Sequence, residues 1–350
     1  MIRTLLALLV ASGYCLGQTP VINPRGVVNG ASFVPGDTTF PLSPGAIVSV
    51  FGSNLSALTV STTQTPLPLM LGDTQVLVDS TPAHLFYVSP NQINFQMPSS
   101  GASLQPGQIA AVSVVVKTPT ATSAPAPVTL SSSSPGLFTS SSTGCGSIAA
   151  LNVKLDGSVS VNSPANSLSP GEYLSLFETS KGVGRNNPAD GSPAPFNPLA
   201  GNAARWITIF DENPFQKGYF RSNQAGGPFA GKAPGLVGVD QENIYVPLNI
   251  REGCAVPIRH GPSQLATVSI RNGGGMCVDP AIQSAGDVFI EKVTDLNTPN
   301  TMPRNHVIAS FSSSPGQNFR CRRISLRPLC TPAHPVPSQT TNCLTRAHLP

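Results

Sequence analysis

A duplicated stretch constrains this chain more than any other feature of its sequence. Residues 42–56 read LSPGAIVSVFGSNLS, and a close copy returns at residues 168–182 as LSPGEYLSLFETSKG. In each copy a Ser-Pro-Gly turn leads into a run in which apolar residues alternate with small or polar ones, which is the period of a half-buried β-strand. We therefore expect each copy to form the first core strand of a β-sandwich.

Length and composition agree with an all-β chain of two domains. The 350 residues exceed the usual size of one domain and leave each of two domains enough chain for its own core. Charged residues make up only 10%, whereas there are 32 Gly and 36 Pro, which suits short strands joined by many turns. We predict two tandem immunoglobulin-like β-sandwich domains, residues 18–132 and 133–290, followed by a strand remnant and an irregular basic tail, residues 291–350.

The N-terminal residues predict secretion. A single basic residue precedes a short apolar run, residues 4–12, which is the layout of a signal peptide. Cys15 and Gly17 supply small residues just before a cleavage site, so residues 1–17 are predicted to be removed. Tyr14 stands where a lipoprotein signal needs a small residue, which disfavours a lipid anchor. No later segment has the roughly 20 apolar residues of a membrane helix, and we expect a secreted, periplasmic or cell-surface protein without a transmembrane segment.

Six cysteines follow the predicted signal peptide, and disulfides are expected in an oxidising compartment. Cys254 and Cys277 flank the predicted closing strand of the second domain, and we predict that they form a disulfide. In the chain-entropy account, closing a loop of this length contributes roughly 3 kcal/mol. For Cys145 a free buried thiol and a bridge to a cysteine of the tail both remain open.

The net charge of +4 is unevenly distributed. Residues 304–350 contain six Arg and no acidic residue, whereas residues 18–303 contain 13 basic and 16 acidic residues. The body is therefore mildly acidic, which predicts no nucleic-acid partner. Beyond about Phe311 the strand pattern fails. We interpret that segment either as a disordered basic tail or as the translation of a shifted reading frame, and the abrupt change in composition favours the second.

No motif predicts catalysis, a cofactor or a metal site. The sequence contains no convincing GxSxG or HExxH motif. We interpret His84, beside a predicted strand, and His260, in a predicted turn, as surface or satisfied histidines. The Asp-Gly pairs at Asp156 and Asp190 are explained by turn chemistry and lack the ligand spacing of a calcium loop. The cysteines and histidines of the tail lack a CxxC pair for zinc. We assign no catalytic, cofactor-binding or metal-binding residue.

Several motifs, taken in their order, resemble a known family. They are VVNGASF, LSPGAIVSVFGSNLS, PLPLMLGDTQVLVD, LFYVSPNQINFQMP, SPGLFT and KAPGLVGVDQENIYVP, together with the Cys254 and Cys277 segments. Over about residues 27–288 the chain resembles the Solibacter-type uncharacterised C-terminal domain family of secreted acidobacterial proteins, which is IPT/TIG-like and immunoglobulin-like. The resemblance implies that fold and carries over no catalytic residue. The sequence departs from the family pattern at residues 178–184 and in the longer segment 213–231.

Two functions are compatible with these observations. The first is a non-catalytic secreted or cell-envelope protein that acts as an adhesion, spacer or binding module, with an envelope or extracellular polysaccharide or protein as its partner. The second is a secreted carbohydrate-active enzyme or its carbohydrate-binding accessory, with the long loops 181–201 and 213–231 forming a cleft. The duplicated stretches keep their alternation while their polar residues change, at residues 52–54 and 178–180. We therefore expect any function to lie in the loops, where the copies differ.

Overall fold

The structure, a computed structural model, is all-β within the residues that it describes, which are 18–99, 104–201, 206–210, 217–221, 229–250, 252–260, 263–278, 285–293, 304–312 and 322–324. The chain divides into two compact units. The first comprises Met1–Ala285 and Ser312–Arg320, and the second comprises Gly286–Phe311 and Cys321–Pro350. The predicted signal peptide and residues 325–350 of the predicted tail lie outside the described residues.

The first half of the first unit forms a β-sandwich. Its strands are β1 (Val21–Asn29), β2 (Ile47–Ser53), β3 (Val60–Ser61), β4 (Gln75–Val78), β5 (Thr81–Pro82), β6 (His84–Val88), β7 (Gln92–Gln96), β8 (Ile109–Lys117) and β9 (Ala126–Ser131). They form a five-stranded sheet in the order β1-β2-β7-β6-β3 and a four-stranded sheet in the order β5-β4-β8-β9. Both sheets contribute side chains to one hydrophobic core, so they pack face to face.

The second half of the first unit forms two further sheets around a second core. Its strands are β10 (Gly136–Leu137), β11 (Ala150–Val153), β12 (Val159–Val161), β13 (Tyr173–Thr179), β14 (Trp206–Phe210), β15 (Lys217–Arg221), β16 (Ala230–Lys232), β17 (Asp240–Tyr245), β18 (Gly253–His260) and β19 (Ala266–Ile270). One sheet has the order β12-β11-β13-β17-β16, with β10 beside β13, and the other has the order β15-β14-β18-β19. Side chains from both sheets meet in the second core.

The second compact unit contains a three-stranded sheet in the order β20-β21-β22. Its strands are β20 (Ala285–Val293), β21 (Arg304–Ser312) and β22 (Arg322–Ile324). Strand β20 extends across residue 290, where the second domain is predicted to end and the strand remnant to begin. Strand β22 lies beyond Phe311, in the segment where the sequence shows no strand period.

The duplicated stretches form the central strands that the alternation predicts. In β2, Val48 and Val50 are fully buried and lie beside Phe95 and Ile93 of β7. In β13, Leu174 and Leu176 occupy the corresponding places of the second core. Burying one such side chain stabilises the fold by about 1.5–3 kcal/mol relative to leaving it exposed. The two halves are therefore organised around the same pair of strands, β2 with β7 and β13 with β17.

The opposite face of each strand pair carries a matching set of polar side chains. Ser49 Oγ donates to Asn94 Oδ1 at 2.9 Å, and a Gln side chain two residues before that Asn donates to the same oxygen. In the second half Gln241 Nε2 lies 3.0 Å from both Ser175 Oγ and Asn243 Oδ1. Such cross-strand pairs fix the register of neighbouring strands. The recurring Ser and Gln-x-Asn residues thus serve strand pairing in both halves.

Two segments differ from the sequence prediction. Residues 18–26, for which the sequence predicts no strand, contribute to β1, which pairs with β2 through Val21 and Ser53. A break in register within β1 and its edge position allow the strand to contain Pro24. The predicted loop 213–231 contains β15 and part of β16, and its remaining residues lie outside the described ones. The predicted loop 181–201 contains no strand among its residues, all of which are described.

The division of the first unit into two domains stays a prediction. Each half has its own hydrophobic core. Both halves nevertheless fall within one compact unit. For brevity the first sandwich denotes β1–β9 and the second sandwich denotes β10–β19.

Candidate functional site

Charged side chains point into the second core from three neighbouring strands. The register pairs Lys232 of β16 with Asp240 of β17, and Asp240 with Glu178 of β13. Because side chains alternate along a strand, Glu178 shares its face with Leu174 and Leu176, which is the core face. By the same parity the inward residues of β17 are Asp240 and Glu242, followed by an Ile. We call Glu178, Lys181, Lys232, Asp240, Glu242 and His260 the charge cluster.

Every member of the charge cluster is almost completely buried, with at most 5% of its surface exposed. Lys181 Nζ contacts Glu242 Oε2 and lies 3.4 Å from Glu178 Oε1. Burial disfavours the charged form of Lys181, but the charges of Glu178 and Glu242 outweigh it, so the pKa of Lys181 lies above its ordinary value. Lys181 is therefore held as an ammonium between two glutamates.

His260, the last residue of β18, reaches the same glutamates from the facing sheet. Its Nδ1 lies 2.6 Å from Glu178 Oε2 and 3.9 Å from Glu242 Oε2. A carboxylate only accepts hydrogen bonds, so Nδ1 carries a proton and donates it. Burial acts against ionisation of Glu178, but the charges of His260 and Lys181 outweigh it and hold the pKa of Glu178 below its ordinary value.

Asp240 and Lys232 form the other end of the charge cluster. Lys232 Nζ lies 2.8 Å from Asp240 Oδ1, and Asp240 Oδ2 accepts a hydrogen bond of 3.0 Å from the backbone N–H of Lys181. Burial raises the pKa of Asp240 above its ordinary value and, together with the nearby charge of Glu178, outweighs the opposing effect of Lys232. The two ends of the cluster thus differ, since the pKa of Glu178 is lowered and that of Asp240 is raised.

The ligand atoms of Glu178, Glu242 and His260 lie within 4.8 Å of one another, a separation that a metal ion could bridge. Two carboxylates and an imidazole are ordinary ligands of divalent transition metals. The ammonium of Lys181, however, already contacts both carboxylates. A metal ion would have to displace this cation. The donor set is therefore explained by ion pairing within the fold, and we assign no metal to it.

The charge cluster adjoins the surface where the two sandwiches meet. Thr179 Oγ1, which donates to the Gly238 carbonyl at 2.7 Å, accepts a hydrogen bond of 2.8 Å from the backbone N–H of Ile47 in β2. The backbone N–H of Ser134 donates to the Ser180 carbonyl at 2.8 Å. Residues 178–182 thus connect the interior of the second sandwich to the first.

The loop 181–201 makes a second set of contacts with the first sandwich. The backbone N–H of Gly191 donates to Gln96 Oε1 at 2.6 Å, and its carbonyl accepts from the N–H of Leu67 at 2.8 Å. Asp190 Oδ2 accepts from the N–H of Ser99 at 2.8 Å. We call this set, together with the contacts of Thr179 and Ser180, the joint. The loop that the sequence offered as one wall of a cleft is bound to the first sandwich at residues 190 and 191.

The structure places the other residues that the sequence singled out as follows. Cys254 of β18 and Cys277 are joined by a disulfide, with their Cα atoms 5.5 Å apart. Cys145 is disulfide-bonded, so its free-thiol alternative is wrong. His84 lies in β6, half-buried, with Nδ1 against the Leu67 carbonyl. His260 lies at the end of a strand and not in a turn. Its Nδ1 is bonded to Glu178 from a distant part of the chain, whereas its buried Nε2 has no hydrogen-bond partner among the described residues.

Sequence reasoning missed the charge cluster, although a signal for it existed. In YLSLFET and DQENIY the charged residues share the parity of the core residues, such as Leu176 with Glu178 and Ile244 with Glu242. A charge at a core position is costly unless it is paired. Such positions therefore predict partners elsewhere in the chain. The partners themselves, Lys232 and His260, come from other strands and carry no local signal.

Comparison of the sequence with profiles of known protein families and with curated proteins finds no match. Among the described residues, no helix has the length and apolar character needed to cross a membrane.

Acidification is expected to destabilise the fold through Glu178. Because its pKa is lower in the folded chain than in the unfolded one, Glu178 contributes stability above the ordinary pKa of a glutamate, and this contribution is lost as the pH falls through the folded value. The raised pKa of Asp240 has the opposite sign. Glu178→Gln keeps its main cause, burial, and removes only the smaller contribution of the Glu178 charge. Urea unfolding at a series of acidic pH values should give a steeper loss of stability for the wild type than for Glu178→Gln. Equal slopes would contradict the expectation.

Proposed function

We propose that the protein is a non-catalytic extracellular module in which two immunoglobulin-like sandwiches form a rigid spacer that presents a binding surface at the cell envelope. The likeness to the Solibacter-type domain family and the N-terminal sequence support the extracellular part of this proposal. The partner that we propose is a polysaccharide or protein of the envelope or the extracellular matrix. A spacer holds its binding surface at a fixed place only if its two parts do not move relative to each other. The proposal therefore depends on how rigidly the joint connects the two sandwiches.

The joint is the observation that carries the proposal. Hydrogen bonds cross between the sandwiches at both ends of the segment 179–191, through Thr179 and through Gly191. Thr179, Ser180 and Gly191 are all buried. Buried hydrogen bonds that are satisfied only in one arrangement favour that arrangement, since breaking one leaves a desolvated polar group. The two sandwiches therefore support a single relative orientation.

The enzyme alternative requires an accessible cleft with convergent acidic or histidine side chains. Glu178, Glu242 and His260 do converge, but each is 0% exposed. A pocket of about 10 Å³, roughly the space of one water molecule, lies where Asn29 and Phe40 of the first sandwich approach Gln264 of the second. Ligand sites usually measure about 300–1,000 Å³. Within the described residues these observations favour the spacer and binding module.

The proposal is tested first by the rigidity of the full chain. Spin labels on non-natural residues at the exposed positions 53 and 158 report the distance between the sandwiches, and labels at positions 53 and 120 provide a control within the first sandwich. We expect pulsed electron paramagnetic resonance to give one narrow distance distribution for the first pair, as narrow as the control. A distribution much broader than the control would overturn the rigid spacer.

The non-catalytic part is tested with the same full-length protein. Envelope and plant polysaccharides are incubated with the chain, and both retention of the protein on each polysaccharide and the release of new reducing ends are measured. We expect no release of reducing ends above that of the heat-denatured protein. Release that grows with the amount of folded protein would replace the proposed module by the carbohydrate-active enzyme.

A further inference from the structure

We propose that Lys232 and Asp240 are joined by an intramolecular isopeptide bond between Nζ and Cγ. The inference does not depend on the proposed function, because it rests on the arrangement of the charge cluster alone. Lys232 and Asp240 are direct cross-strand partners on β16 and β17, and Lys232 Nζ lies 2.8 Å from Asp240 Oδ1. The side chains are 4% and 0% exposed, so water does not separate the two groups.

The two groups are close enough to react. Lys232 Nζ lies 2.8 Å from Asp240 Oδ1, and the other atoms of the described residues offer it no hydrogen bond. A buried ammonium and a buried carboxylate are both costly, and transfer of one proton between them leaves a neutral amine beside a neutral acid. A neutral lysine amine is a nucleophile, and a neutral carboxylic acid is the form that such an amine can attack. Burial raises the pKa of Asp240, which favours this neutral acid.

The reaction balances without any co-reactant. The neutral Nζ of Lys232 attacks Cγ of the protonated Asp240, so that an N–C bond forms and a tetrahedral centre results. One proton moves from nitrogen to the hydroxyl oxygen of Asp240, the C–O bond breaks, and water leaves with the amide as the product. No atom is oxidised or reduced. A buried site favours this condensation, because the released water leaves the core and cannot easily return to hydrolyse the bond.

Glu178 is the carboxylate that the sheet places beside the reacting pair. It is the register partner of Asp240 on β13, so Lys232, Asp240 and Glu178 form one cross-strand row. Its Oε1 forms an ion pair with Lys181 Nζ at 3.4 Å, and its lowered pKa favours the ionised form. We assign to Glu178 the transfer of the proton from nitrogen to the leaving oxygen.

Lys181 is the less suitable nucleophile in the charge cluster. It contacts two glutamates at once, and their charges raise its pKa, so it stays an ammonium. Glu178, one of those glutamates, has a lowered pKa and stays a carboxylate. The geometry therefore selects Lys232 and Asp240 from the lysine–carboxylate pairs of the cluster.

The bond is tested on the purified full-length chain by mass spectrometry after reduction and denaturation. The intact protein should be lighter than its sequence by one water molecule. Chymotrypsin can cut after Phe229, Leu236 and Tyr245, and cleavage after Leu236 separates Lys232 from Asp240 in the linear chain. We expect peptides 230–236 and 237–245 to remain linked to each other and to have lost one water. Trypsin should fail to cut after Lys232.

Other outcomes overturn the proposal. The full sequence mass, with peptides 230–236 and 237–245 recovered separately, shows that the pair is an ion pair only. Loss of water with the two peptides separate indicates a succinimide at an Asp-Gly pair, such as Asp156 or Asp190 with the following Gly, and equally excludes the isopeptide bond. Both results are obtained on the wild type, so they do not depend on whether any variant folds.

Two variants and a matched control test the assigned roles. Lys232→Met should have its full sequence mass, whereas Lys154→Ala, which removes an exposed lysine, should retain the loss of water. Glu178→Gln should form the bond more slowly by about 100-fold or more, since positioned proton transfer typically contributes 10²–10⁴-fold. The time course of the mass change after refolding measures this rate. An unchanged rate in Glu178→Gln would remove Glu178 from the reaction.

Discussion

Replacing Lys181 by leucine should lower the free energy of unfolding by about 3–5 kcal/mol, because it removes the ammonium from between two buried glutamates. Lys181 Nζ contacts Glu242 and lies 3.4 Å from Glu178, and all three side chains are at most 1% exposed. The lost interaction is only part of the cost. The larger part is the uncompensated negative charge that remains in the core. Urea unfolding at neutral pH measures the difference.

Two controls separate this cause from a general effect of substitution. Arg25→Ala breaks an ion pair with Asp37 in which Arg25 is 60% exposed, and it should cost only about 0–1 kcal/mol. The double variant Lys181→Leu/Glu242→Ile removes the unpaired carboxylate together with the ammonium, so it should be more stable than Lys181→Leu alone. A double variant that is less stable than the single one would show that the leucine side chain, and not the orphaned charge, causes the loss.

The double variant restores residues that the first sandwich already uses. Aligning the duplicated stretches puts Leu55 at the place of Lys181, and the strand registers put Ile93 at the place of Glu242. Leu55 and Ile93 are fully buried members of the first core. The same two core positions are thus filled by apolar side chains in the first sandwich and by paired charges in the second. Because buried ion pairs are often no more stabilising than apolar residues of similar size, stability alone does not account for the charge cluster.

The strands of the two cores could be predicted from the sequence, but the pairing of the buried charges could not. Alternation of apolar and polar residues predicts the central strands β2 and β13, because one buried face imposes a period of two. The same reasoning predicts the disulfide, since Cys254 and Cys277 flank one strand. Hydrophobic periodicity carries no information on which distant charges meet. The pairing of Glu178 with His260 depends on two sheets facing each other, and it becomes visible only once the sandwich is assembled.

The predicted loops also show that sequence composition does not identify contacts between distant parts of the chain. Residues 181–201 have the composition of a loop and contain no strand. Composition does not reveal that Asp190 and Gly191 bind the first sandwich, because their partners, Ser99 and Gln96, lie in another part of the chain. The expectation that function lies where the copies differ stays a prediction, and the charge cluster and the joint are both located at such differences.

Replacing Gly182 by alanine should destabilise the joint by about 2–5 kcal/mol, as the sum of backbone strain and overpacking. Gly182 has φ +82°, a conformation that glycine adopts without strain, and a Cβ at this position would lie 1.9 Å from the carbonyl oxygen of Ser132. That oxygen belongs to the backbone, so it cannot move aside as a flexible side chain would. The chain must shift where it passes from the first sandwich to the second.

Gly157→Ala is the matched control for this substitution. Gly157 has nearly the same backbone conformation, with φ +84°, but no atom lies within 4 Å of the position that a Cβ would take. Its replacement should therefore cost only the backbone strain, about 1–2 kcal/mol. Urea unfolding of both variants isolates the steric part of the effect, and labels at positions 53 and 158 show where it acts. If Gly182→Ala unfolds like Gly157→Ala and keeps a narrow distance distribution, the close approach at Ser132 does not hold the sandwiches together.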